Sequence, residues 1–256
     1  MKTKRRILSI SLCVALIVTT LSPMTVHAAS TALNMTLASN LSGERTNIQF
    51  LEGTPGDTHI VYTYQQNGET FKAVETATED FSSVDCQIYQ LDEDGEYIKN
   101  STQSVVIDKE GNPQITIKSA SGKTECRTID LSSEPKLNLQ TYSIARVPDW
   151  EWITEYEDGV KGGLSGLGIN ALIAVIAAIA TFYSSGVLAS VAVAGASTVA
   201  TALFNRNAEK VYYHAIINWR HSPKSYFVID ETEHTKYYVD SSHKYYLGYT
   251  YAEYIF

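Results

Sequence analysis

Little in this chain can perform covalent chemistry. It has no His-Glu-x-x-His, no glycine-rich loop of the phosphate-binding kind, no Gly-x-Ser-x-Gly and no Cys-x-x-Cys. Those spacings gather a metal, a nucleotide, a serine nucleophile or a redox pair at one place. The expectation is a protein that is not an enzyme and has neither cofactor nor metal. Cysteine is scarce too: there are three, and Cys13 lies in the leader described below, leaving Cys86 and Cys126. Each sits in a β-type run, and in an exported chain such a pair is expected to form a disulfide.

Basic charge is also short. Lys2, Lys4, Arg5 and Arg6 precede the apolar stretch 7–21, and Val26-His27-Ala28 supplies small residues at −3 and −1. Residues 1–29 therefore read as a secretory signal peptide, which places the chain outside the cell, secreted and membrane-associated. Loss of the leader removes four basic residues and no acids, taking the formal charge from −8 to about −12. Phosphate backbones need clustered Lys and Arg, so nucleic acid is excluded as a partner.

Charge is missing altogether from residues 162–205, an apolar run of 44 residues. About 20 apolar residues cross a bilayer as one helix, so the run has the length for two crossings. It divides at Tyr183-Ser184-Ser185-Gly186. The membrane-inserting residues expected on the first helix are Leu164, Leu172, Ile173, Ile176, Ile179 and Phe182. Those expected on the second are Val187, Leu188, Val191, Val193, Val199, Leu203 and Phe204. Small residues recur four apart (Gly162 and Gly166; Ala174 and Ala178; Ala192, Ala196 and Ala200), a spacing that lets helices pack closely in lipid. A membrane hairpin competes with a single anchor, held by Arg206 and Lys210 on the cytoplasmic side, and with a helical pair buried in a soluble core. The last suffers from the shortness of the chain, which offers little to cover two helices.

What is present before the run is β-type sequence. Residues 60–64 alternate, reach Asn67-Gly68 and run back through 70–74; Asn-Gly between such runs is a strong hairpin signal. Asp92-Glu93-Asp94-Gly95 and Gly111-Asn112 punctuate two further hairpins. Asp92, Asp94 and Glu96 echo part of a calcium loop with incomplete spacing, and Asp-Gly is a common turn. Residues 141–161 read as a linker with an acidic, aromatic end, where Trp150 and Trp152 suit a membrane boundary. After the run, residues 205–219 show helical spacing at Val211, Ala215, Ile216 and Trp219. Residues 225–256 are dense in tyrosine and read as three strands broken at 230–233 and 240–242. His214, His221, His234 and His243 are candidates for a metal site or pH sensor, weighed against unrelated surface histidines.

The expected fold is α+β. Its parts are an acidic antiparallel β domain over 30–140 (meander or small sandwich), a hydrophobic helical hairpin over 162–204, and a short helix with tyrosine-rich strands over 205–256. A leader, a polar β-rich part, an Ala/Gly-rich helical stretch and an aromatic segment such as Tyr212-Tyr213-His214-Ala215 together resemble small secreted toxins of Gram-positive bacteria. Gly162-Gly163 ahead of a small apolar run resembles the double-glycine cleavage site of secreted antimicrobial peptides. The resemblance implies a pore-forming or bacteriocin-like protein whose partners are a lipid bilayer and further copies of itself, with any protein receptor unknown. The competing expectations are a membrane-anchored surface protein for immunity, sensing or binding, and a secreted domain with its helices in the core.

Overall fold

A computed structural model describes residues 43–131, 152–181, 190–221 and 228–255. Residues 41–256 form one compact unit. Seven strands lead: β1 (Arg45–Glu52), β2 (His59–Gln66), β3 (Glu69–Ala77), β4 (Ser83–Leu91), β5 (Tyr97–Ile107), β6 (Pro113–Ser119) and β7 (Thr124–Thr128). They form one antiparallel sheet in sequence order, a pure meander. The three hairpins read from the turn chemistry are there. Asn67 (φ 53°) and Gly68 (φ 82°) both adopt the left-handed conformation that a two-residue hairpin demands.

The second half differs from expectation. Residues read as a linker form β8 (Ile153–Gly162), and residues read as a helix form β9 (Lys210–His221). With β10 (Val228–Tyr238) and β11 (Tyr246–Ile255) they make a four-stranded antiparallel sheet ordered β11-β10-β9-β8. The break expected at 230–233 falls inside β10. In β9, Val211, Tyr213, Ala215, Ile217 and Trp219 are buried and the residues between them are not, a period of two that outweighs the helical spacing. Mostly β, with two antiparallel sheets and two short helices, the chain is not the N-terminal β domain with appended helical hairpin that was expected.

The apolar run supplies α1 (Ile169–Ala180) and α2 (Ser190–Arg206). Neither crosses a membrane: among the described residues no helix is long and apolar enough. The 12 residues of α1 span about 18 Å, against a hydrocarbon core of about 30 Å. The helices form a layer between the sheets, α1 touching β3 to β6 on one side and β10 and β11 on the other, with α2 beside it against β11 and β1. Every residue of α1 is buried. On that side the helices are covered by β10 and β11, and a buried helical pair is accommodated even in a chain this short.

The disulfide is corrected as well, because Cys86 and Cys126 are both free. Cys86 is buried on β4 and Cys126 exposed on β7, with β5 and β6 between. Three strand spacings are roughly 14 Å, twice the Cα separation a disulfide spans. The membrane-crossing helical hairpin expected over 162–204 is likewise corrected, since among the described residues no helix is long and apolar enough to cross. The leader read over residues 1–29 lies outside the described residues.

Candidate interaction face and the dock beneath it

The run's entry, residues 163–168, is held almost entirely by polar side chains from elsewhere. Glu209 accepts from the Gly163 amide (3.2 Å) and the Ser165 hydroxyl (2.5 Å), bonds that hold its carboxyl below the usual range. The Arg127 guanidinium donates to the carbonyls of Gly163 (3.0 Å) and Ser165 (3.3 Å). Gln103 bridges the Gly166 carbonyl (2.5 Å) and the Gly168 amide (3.0 Å). Arg45 donates to the Leu167 carbonyl (2.8 Å) while its guanidinium carbon sits 4.1 Å from the Phe204 ring centroid.

At the first turn of α1 the chain supplies its own anion. Glu75, wholly buried on β3, accepts from the amides of Ile169 (2.8 Å), Asn170 (3.0 Å) and Ala171 (3.3 Å) and from the Tyr62 hydroxyl (2.6 Å). Helix N-termini leave amides unpaired and carry partial positive charge, which a carboxylate matches. Burial pushes the Glu75 carboxyl up, and the Tyr62 hydroxyl and the three amides pull it part of the way back. Gly168 is required here, since a Cβ would stand 2.7 Å from the Glu75 carboxyl. Gly166-Leu167-Gly168 ahead of a helix is a place where a phosphate is often cradled; the Glu75 carboxylate fills it. Nothing local in residues 69–77 marks Glu75 in the sequence, because its amide donors lie 94 to 96 residues away.

The outer face of the four-stranded sheet is of another character. Tyr156, Asp158 and Val160 of β8, Tyr212, His214 and Ile216 of β9, His234, Lys236 and Tyr238 of β10, and Tyr249 and Tyr251 of β11 point away from the helices. A run of rings crosses all four strands. Tyr156 stacks on His214 (5.8 Å), His214 lies 6.3 Å from His243, His243 stacks on Tyr238 (4.5 Å), and Tyr238 meets Tyr246 edge-on (5.8 Å). Asp158 anchors His214 at Nδ1 (2.7 Å). His234 packs edge-on to Tyr249 (4.9 Å), and burial together with Lys236 holds its imidazole below the usual range. Among the described residues eleven large apolar side chains are exposed, and six lie on or beside this face: Trp152, Tyr156, Val160, Tyr246, Tyr249 and Tyr251. Trp152, just ahead of β8, has the Arg220 guanidinium over its ring. A cleft of about 570 Å³ lies where Tyr246, Tyr249 and Tyr251 meet Gly195 and Thr198 of α2.

The residues expected to insert into lipid are elsewhere. Leu164, Leu172, Ile173, Ile176, Ile179, Val199, Leu203 and Phe204 are all core. Phe182, Val187 and Leu188 lie outside the described residues, as do the side chains of Val191, Val193 and Ala192. Of the small residues, Ala174, Ala178, Ala196 and Ala200 are buried in the helix layer, Gly162 ends β8 and Gly166 belongs to the dock. Of the histidines, His214 and His243 come together and His234 sits on the same face; the side chain of His221 is outside the described residues. Asp92 accepts from the Glu96 amide (2.8 Å) in a turn, and among the described residues no three ligating side chains converge on a metal site.

Comparison with models of known protein families, with curated proteins and with solved structures gave no match to this chain.

Proposed function

We propose that the chain is a non-catalytic binding protein, acting outside the cell, that docks the tyrosine–histidine face of its four-stranded sheet on the polar–apolar boundary of a lipid bilayer without passing through it. One observation carries the reading: among the described residues, six of the eleven exposed large apolar side chains gather on or beside that single face, while α1 of the apolar run is wholly buried. Concentrated exposed apolar surface marks an interaction site. Tyrosine and tryptophan favour the membrane–water boundary because each has an apolar body and a polar tip. The polar residues between the rings, Asp158, Lys236 and Thr232, suit the headgroup layer and oppose deep burial.

The charge of about −12 after loss of the leader adds a direction: zwitterionic surfaces are favoured over anionic ones. The test is co-flotation with phosphatidylcholine vesicles and with vesicles enriched in phosphatidylglycerol. The expected result is retention on the first, weaker retention on the second, and loss of retention when Tyr156, Tyr249 and Tyr251 become serine. Equal retention of the triple variant, or no retention on either vesicle, overturns the reading.

A further inference from the structure

Two buried carboxylates have no role in the dock or on the outer face. Glu231 and Glu233 are two residues apart on β10 and therefore share its inner surface, where they are 4% and 1% exposed. Glu233 Oε1 accepts from the Thr235 hydroxyl (2.9 Å). Glu233 Oε2 and Glu231 Oε1 have no hydrogen-bond partner, and neither has Glu155 Oε2, set across Ile217 from Glu233. A buried carboxylate that lacks donors is tolerable only with a cation beside it or a proton upon it.

Among the described residues no cation is in position. The elements packed on β10 are β9, β11 and α1. The inner residues of β9 are Val211, Tyr213, Ala215, Ile217 and Trp219, those of β11 are Gly248, Thr250 and Ala252, and α1 carries no charge. One strand further, β8 turns Glu155, Glu157 and Lys161 inward. Lys161 pairs with Val211, six positions along β9 from the partner of Glu233, or about 20 Å, and its ammonium donates to the Asp130 carbonyl. Arg206, in the last turn of α2, donates to the Ala202 carbonyl.

We propose that β10 is a proton-operated catch: Glu231 and Glu233 let the four-stranded sheet lie closed over the helix layer while they are protonated, and loosen it when they ionise. The same inner surface carries Tyr237, whose hydroxyl donates to the Ile176 carbonyl of α1 (3.3 Å) and bonds Thr250 (3.0 Å). Opening β10 therefore uncovers the apolar flank of α1. The proposal does not depend on what the outer face binds.

The sign follows from linkage. Burial pushes Glu231 up to about 7, and burial with the neighbouring Glu231 raises Glu233 well above the usual carboxylate range. A carboxyl whose folded value is raised contributes fully below its unfolded value and loses that contribution as pH rises through the folded one. Stability is thus greatest in mild acid and falls from about pH 4.5 towards pH 7 and beyond. Each carboxylate makes the opening constant rise about tenfold per pH unit while it titrates in the open form alone.

The experiment is denaturant unfolding of the full chain between pH 4.5 and 9, with hydrogen exchange read at the β10 amides, for wild type, E231Q, E233Q and an exposed control, E110Q. The expected result is a fall in stability and in β10 protection with pH that each Gln variant flattens and the control leaves alone. A wild-type profile flat or rising across that range overturns the proposal, as does an unchanged fall in both Gln variants. A second measurement needs no variant. Folded wild type at pH 6 should show the infrared carbonyl stretch of a protonated carboxyl group, and its absence overturns the proposal too.

Discussion

The two sheets bury the same residue type and treat it in opposite ways. The seven-stranded sheet presents Glu75 to the helix layer with four donors around it, three amides and a hydroxyl. The four-stranded sheet presents Glu231 and Glu233 with the Thr235 hydroxyl and two bare oxygens. A buried charge that is fully satisfied specifies where its partners sit, because removing it leaves every donor orphaned. A buried acid that is not satisfied specifies nothing, and makes the enclosure conditional on a proton. One sheet fixes the helix layer and the other covers it conditionally.

The largest expected effect tests the first half of that contrast. Glu75→Ala strips the acceptor from three amides and Tyr62 and leaves a cavity, which should cost roughly 3–5 kcal/mol in denaturant unfolding. Glu75→Gln, which retains one acceptor oxygen, should cost less. A loss below 1 kcal/mol for the alanine variant would remove the contrast between the sheets. Glu231→Gln tests the other half with the opposite sign. It should raise stability by roughly 2 kcal/mol at pH 9, and by progressively less as pH falls towards about 4, below which the wild-type side chain is neutral in both folded and unfolded chains.

Smaller effects sharpen the picture. Tyr62→Phe deletes one donor to Glu75 and keeps the ring against Phe204, so a loss of roughly 1–2 kcal/mol is expected, measured by the same unfolding curves. Tyr249→Ser, on the outer face, should shift stability by less than about 0.5 kcal/mol while weakening vesicle retention. Adding a thiol reductant should leave the unfolding midpoint where it was, since Cys86 and Cys126 are both free.

The same contrast explains what could be read in advance. The seven-stranded sheet announces itself because its turns carry Asn67-Gly68, Gly95 and Gly111, residues chosen for conformations that few others tolerate. Its inward positions, such as Tyr62, Tyr64, Val84 and Ile88, are mostly apolar, so the period of two is plain. The four-stranded sheet hides because its inward positions break the code that hydrophobic means inside. β8 turns Glu155, Glu157 and Lys161 inward and Tyr156 and Val160 outward, so the apolar residues lie on the solvent face. Glu231 and Glu233, read as a polar break, are core positions of β10. The helical character of the apolar run was visible, but its destination was not, because burial depends on strands that polarity alone disguises. The dock was invisible for a different reason: Glu75, Gln103 and Arg45 act on amides and carbonyls more than 60 residues away.

The strand order also sets a timetable. In the seven-stranded meander each strand pairs with its neighbour in sequence, so every closure is a short loop and the sheet can assemble hairpin by hairpin. The β8–β9 pairing instead joins Ile153 to Trp219 across both helices and closes only once that segment has collapsed. The expected order is meander first, docking of α1 on its finished surface second, and the smaller sheet last. A chain caught between the second and third steps has its most apolar helix seated on one side and bare on the other. The interval before β10 and β11 close over α1 is therefore when this protein is most exposed to aggregation.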